Sequence, residues 1–287
     1  MRPVKLKSKI FLDSGDPAET KAIKDLLGFL DGQTTNPTLV ANNPFAKERF
    51  DKSEKFSADE ILDFYKRVIQ EISAIIPDGS VSIEVYADKD TAGDTMFNQG
   101  KEMFTWIPNA HIKYPTTAAG LAAAEKSIAA DMRVNMTLCF TQEQAAAVYA
   151  ATQGAKKGDV FVSPFIGRLD DLGENGLSLI SNITQMYADS DHHVELLAAS
   201  VRNNTHMMEC LAMEADIITA PFSVLKAWAE AGKPVPDITP TSDASELKPI
   251  PYRQIDLNKS WRKYDITHPL TDKGIDRFSQ DWNQLIS

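Results

Sequence analysis

In the segment HIKYPTT, residues 111–117, Lys113 stands late in a run that reads as a buried strand. A buried ammonium is costly unless it is paired or gives up its proton, so this lysine is either a tolerated structural group or a chemical one. Other polar residues sit at comparable places. Asp13 closes KIFLD, Thr35 and Asn36 stand at the end of GQTT, and Glu84 lies late in VSIEVYA. Asn135 and Thr137 lie in RVNMTLCF, Ser163 in DVFVSPF, and Ser200 ends VELLAAS. Strands covered on both faces should be almost continuously apolar, so exceptions near the C-terminal side of each run ask for a function. Period-2 alternation pairs Phe11 with Asp13, Ser82 with Glu84, His111 with Lys113, Asn135 with Thr137 and Ser163 with Phe165 on common faces. One amine and two carboxylates facing inward suit imine chemistry. Burial favours the nucleophilic free-amine form of such a group over the ammonium, and a neighbouring carboxylate can move protons as a carbon–carbon bond breaks. That is a Schiff-base aldolase or transferase site. A lone strand lysine is more simply a snorkelling or salt-bridged residue; the surrounding set makes the chemical reading competitive.

The elements that must position these groups alternate. Candidate strands at 9–13, 32–35, 81–87, 110–115, 133–140, 159–165, 194–200 and 215–220 are separated by helical patterns such as SADEILDFYKRVIQEISAII and TAAGLAAAEKSIAA. Eight strand–helix units predict an α/β fold, a (β/α)8 TIM barrel, whose catalytic groups gather at the C-terminal ends of the strands. An open doubly wound sheet is the rival, and the chain has no glycine-rich nucleotide turn to support it. Residues 1–232 form the expected catalytic barrel. Residues 233–287 form an arm, rich in Pro and Ser over 233–253, and a closing helix packed on the barrel or on a neighbouring subunit. In that helix Ile275, Phe278, Trp282 and Leu285 make one apolar face, with Thr271 or Asp272 as the expected cap.

The formal charge of −10 over 287 residues argues against nucleic-acid or anionic-membrane partners. It leaves room for an anionic small substrate held by local arginines. The two cysteines, Cys139 and Cys210, lack metal-ligand spacing and read as reduced core residues. With no signal-like or membrane-length apolar run, the expectation is a cytoplasmic protein. Residues 191–195, DHHVE, place two histidines on opposite faces of a strand start, a poor metal site.

The motifs DGQTTNPTLV, IEVYAD, HIKYPTTAAG, VNMTLCFT, VSPFIGRLDD and AASVRN resemble, in order and spacing, the transaldolase family, and IDRFSQDW resembles the C-terminal segment of its short members and of the related fructose-6-phosphate aldolases. The resemblance implies that Lys113 forms the Schiff base and that Asp13 takes the proton from the substrate C4 hydroxyl. It implies that Glu84 and Thr137 hold a catalytic water, and that Asn36 and Asn135 bond substrate hydroxyls with Thr35 and Ser200 lining the same pocket. Arg168 and Arg202 match phosphate-binding arginines, with Ser163 and Phe165 as the wall between them and the lysine. Asp170 and Asp171 beside Arg168 offer the blander alternative of surface ion pairs. No metal or organic cofactor is implied, since the protein imine accepts the electron pair. The implied partners are sugar phosphates, and a homo-oligomer is compatible with the arm. Glu84 and Phe165, where aldolases of the family tend to carry glutamine and tyrosine, point to transfer of a dihydroxyacetone unit between sugar phosphates. The alternatives are release of free dihydroxyacetone and a non-catalytic sugar-phosphate-binding barrel. Tyr114 departs from the small aliphatic residue usual after the lysine, and alternation aims it at a helix.

Overall fold

The alternating β-rich and helical runs resolve into eight parallel strands that close on one another in chain order. They are β1 (Lys9–Asp13), β2 (Gly32–Thr34), β3 (Ser80–Glu84), β4 (Ala110–Pro115), β5 (Val134–Cys139), β6 (Val160–Pro164), β7 (Val194–Ala198) and β8 (Ile217–Ala220). β8 returns to pair with β1, completing a (β/α)8 barrel. This computed structural model describes residues 1–236 and 246–287. Part of the Pro- and Ser-rich arm, 237–245, therefore lies outside the described residues.

The helices form where apolar periodicity meets good caps. Ser57 and Glu60 make a reciprocal capping box at the start of Ala58–Ile75, which buries Ile61, Phe64, Tyr65, Val68, Ile69 and Ile72 against the barrel. Asp16, Thr117 and Thr141 cap the helices after β1, β4 and β5 with side-chain oxygens. Tyr114 packs outward as alternation requires: its hydroxyl pairs with Ser127 at 3.0 Å on the Ala118–Ala129 helix. Cys139 and Cys210 are buried free thiols, both pushed up to about 12 by burial.

Register places the polar strand ends in one layer. Glu84 lies opposite Lys113, Lys113 opposite Asn135, and Asp13 opposite Thr34. Below this layer His111 stacks on Phe161 at 4.1 Å and bonds Ser80 and the Gly158 carbonyl. Burial drives its imidazole down to about 3, so it is a neutral core residue.

The closing helix, Pro269–Asn283, lies across the C-terminal mouth of the barrel. Its cap corrects the sequence expectation: His268 accepts from the Leu270 N–H, and Pro269 occupies the first turn. Thr271 is drawn inward instead, donating to the Leu138 carbonyl and accepting from Gln144. Ile275, Phe278, Trp282 and Leu285 are all buried, and Trp282 meets Tyr65 edge-on at 5.8 Å. The arm before the helix is pinned along the outside of the barrel. Lys248–Pro249 pairs with Glu174–Asn175, and Gln142 exchanges two hydrogen bonds with the Arg253 backbone.

β4 must end tightly against its following helix for Lys113 to hold its place, and Gly120 permits this. A Cβ there would collide with the Pro115 carbonyl oxygen, a backbone atom that cannot swing aside. Gly120→Ala should therefore destabilise the protein by about 1–3 kcal/mol despite the better helix propensity of alanine, read as a lower midpoint in thermal unfolding.

Candidate active site

Lys113 is 3% exposed, and its Nζ lies 2.8 Å from Glu84 Oε2, itself on a side chain only 5% exposed. The two form an ion pair, and the amine also donates to the Thr35 carbonyl at 3.1 Å. Asp13 accepts from Thr34 Oγ1 at 2.6 Å, and Thr34 pairs at 2.6 Å with Thr219 across the β1–β8 side of the barrel. With Thr34 donating to the carboxylate, Thr219 is the donor to Thr34, which fixes the whole chain of protons. Asp13, Lys113 and Arg168 line one open cavity of about 180 Å3 at the mouth, with Thr34, Asn36 and Ser163 between them.

The electrostatics follow from this crowding. Burial raises the Asp13 carboxyl above its usual range, against the opposing pull of Lys113 and the Thr34 hydroxyl. Burial likewise raises Glu84, opposed by Lys113 and reinforced by the negative charge of Asp13. Two buried acids beside one amine each hold a proton more readily than they would in water. Such a set can add an amine to a carbonyl, remove water from the adduct and take a hydroxyl proton.

Around the cluster, each residue is placed by its neighbours. Asn36 caps the Pro37–Ala41 helix through Oδ1, leaving its amide N–H2 on the cavity side. Ser200 lines the cavity in left-handed backbone conformation, φ +58°, an uncommon geometry for a side-chain-bearing residue. Phe165 forms the wall, with the Arg168 guanidinium 5.2 Å from its ring centre. Leu138 is also left-handed, at φ +57°, where the β5–β6 register shifts. The distorted turn aims Leu138 at Gly274 of the closing helix. Thr137, fully buried beside it, has an Oγ1 with no hydrogen-bond partner among the described residues, as has Glu84 Oε2.

The model of the transaldolase/fructose-6-phosphate aldolase family matches residues 10–287. The chain belongs to this family. A probable transaldolase of Dehalococcoides mccartyi is 34% identical over 278 residues, covering 96% of this chain and 99% of that protein. One from Caulobacter vibrioides is 36% identical over 276 residues, and one from Paracoccus denitrificans 34% over 274, each match covering 96% of both chains. This protein of the transaldolase/fructose-6-phosphate aldolase family is thus similar to these relatives over almost its whole length.

Three sequence expectations need correction or refinement. Thr35 does not line the cavity: its hydroxyl bonds Tyr65 and the Ser82 carbonyl on the outer side of β2, and its neighbour Thr34 faces inward instead. Alternation decides between adjacent residues, and a start point wrong by one exchanges the faces. Arg202 is turned away, forming a bidentate ion pair with Asp171 across Gly167, and does not line the cavity. Asn135 stands beside Lys113 in register but is the second residue of its strand, fully buried, and is engaged with Ser82 and Ser163. Sequence reasoning missed Thr34, Thr219 and Tyr65, whose hydroxyl pairs with Thr35 and accepts from the Glu84 N–H. It also missed Arg277, which reaches the cavity from the closing helix. The TT pair and the quoted IDRF segment held the signal for two of these, but only docking of the helix shows where Arg277 goes.

Because the folded state raises the Asp13 pKa, it holds a proton that the unfolded chain releases above pH about 4. The contribution of Asp13 to stability therefore falls as pH rises from there toward its raised folded value. Asp13→Asn removes that dependence. The unfolding midpoint of the variant relative to the parent should become more positive between pH 4 and neutrality, checked by thermal melts across that range.

Proposed function

We propose that the protein is a transaldolase that moves a dihydroxyacetone unit from a ketose phosphate, fructose 6-phosphate or sedoheptulose 7-phosphate, to an aldose phosphate through an imine on Lys113. The observation that carries this reading is a buried amine held between Glu84 and the Thr35 carbonyl in a cavity shared with Asp13 and Arg168.

Lys113 Nζ adds to the C2 carbonyl. Glu84 and Thr137, whose oxygens have no other hydrogen-bond partner among the described residues, hold the water that relays protons as the carbinolamine loses hydroxide and becomes the iminium. Asp13, oriented by Thr34, takes the proton of the C4 hydroxyl. The C3–C4 electron pair then flows into the iminium, the bond breaks and the aldose phosphate leaves an enamine on Lys113. Addition of that enamine to an acceptor aldehyde and hydrolysis of the new imine complete transfer. Asn36 orients the substrate hydroxyls directly, while Asn135 acts through its bond to Ser163. Arg168 takes the phosphate with its planar fork of donors, and Arg202 joins it on exchanging Asp171 for the anion. Glu84 and Phe165 support transfer over release of free dihydroxyacetone, and the probable transaldolase names of the relatives agree with it.

Borohydride added to enzyme and fructose 6-phosphate should leave a three-carbon adduct on Lys113, detected by mass spectrometry; an unmodified lysine in the folded protein sinks the mechanism. In a coupled assay, glyceraldehyde 3-phosphate should form from fructose 6-phosphate at an appreciable rate only when erythrose 4-phosphate is present. Sustained formation without it assigns the aldolase activity instead. Arg168→Gln should raise KM for fructose 6-phosphate roughly 10- to 100-fold, the expected loss of a charge-assisted contact.

A further inference from the structure

The cavity presents two guanidinium groups from different parts of the chain. Arg168 is clasped between the rings of Phe165 and Phe278, 5.2 and 5.4 Å from their centres, and forms no ion pair within 4 Å among the described residues. Arg277 lines the same cavity from the closing helix. The carboxylate that pairs with it is Asp281, one helical turn on, 3.7 Å from Nε. Asp281 is in turn held by the Thr38 hydroxyl, so the carboxylate ties the closing helix to the Pro37–Ala41 helix. Arg277 donates no hydrogen bond among the described residues, and its side chain is 65% exposed.

Two like charges converging on one partly buried cavity repel each other. Burial and the charge of Arg277, in that order, disfavour the charged form of Arg168. The remaining cations near the cavity are already engaged, Lys113 by Glu84 and Arg202 by Asp171. An anion placed between Arg168 and Arg277 removes the repulsion and meets two planar donor forks.

We infer that Arg277 is a further cation of the phosphate subsite opened by Arg168, in place before Arg202 gives up Asp171, so that the closing helix itself selects phosphorylated substrates. The inference rests on the reading of the cavity as a sugar-phosphate site and adds a specificity residue on an element outside the barrel strands. The bland alternative is a surface arginine paired to Asp281. An exposed guanidinium is screened by salt, so its contribution is largest at low ionic strength, where the titration is run.

The test titrates inorganic phosphate into the full-length protein and into Arg277→Gln, Arg277→Lys and Asp281→Asn variants, with thermal melts to check folding. Arg277→Gln should weaken phosphate binding about tenfold, Arg277→Lys should recover part of the loss, and Asp281→Asn should bind phosphate at least as tightly as the parent. The preference in kcat/KM for glyceraldehyde 3-phosphate over glyceraldehyde as acceptor should fall by a similar factor in Arg277→Gln. Phosphate affinity within about twofold of the parent in Arg277→Gln overturns the inference. So does an equal loss in Asp281→Asn, which would trace the effect to seating of the helix. If the parent gives no Lys113 adduct, the proposed transfer reaction fails, while the phosphate titration still decides the role of Arg277.

Discussion

An amine and a carboxylate 2.8 Å apart, each almost wholly removed from solvent, hold one another at the mouth of the barrel. A buried pair of this kind is a doubtful source of stability, because taking both charges out of water offsets most of their attraction. What it provides is position. Glu84 and Lys113 are opposite residues on adjacent parallel strands, so the register of β3 against β4 sets their separation. The Thr35 carbonyl and Tyr65 hydroxyl then fix the two ends, one accepting from the amine and the other from the Glu84 backbone. Asp13 enters the same field from β1: burial raises both acids, and the charge of Asp13 raises Glu84 further.

The barrel alone does not complete the site. The left-handed Leu138, at the irregular end of β5, points into the space left by Gly274 on the closing helix, and Thr271 bonds the Leu138 carbonyl. That docking brings Phe278 over Arg168, where the ring covers a guanidinium that would otherwise face the open mouth. The helix is therefore part of the cavity wall, and the arm that carries it is fastened along the outside of the barrel by Gln142 and the Glu174–Asn175 ladder. Among the described residues, no hydrogen bond or ion pair joins the helix to Lys113. The helix shapes the end of the cavity where the arginines are.

Much of the architecture was legible because parallel barrel strands are short, apolar and regularly spaced. KIFLD and AHIKYP match their strands residue for residue, and the interruption of apolar runs by Asp13, Glu84 and Lys113 pointed to the mouth. The same alternation correctly aimed Tyr114 outward and left His111 deep in the core. It failed at Thr34 and Thr35, where a three-residue strand gives too little pattern to set which of two threonines faces in. It also could not see that Arg202 would be taken by Asp171, at the end of the Ile166–Asp170 helix, since either partner, phosphate or carboxylate, satisfies the same fork of donors.

By itself, then, the order of residues determined the barrel, the amine and its two acids, and the family, because hydrophobic periodicity and the spacing of polar exceptions are local properties that survive without coordinates. Tertiary structure decided which threonine serves Asp13, which arginines share the cavity with Lys113, and what the last helix covers. Those depend on strand register and helix docking, contacts between residues as distant as Leu138 and Thr271 that no local pattern encodes.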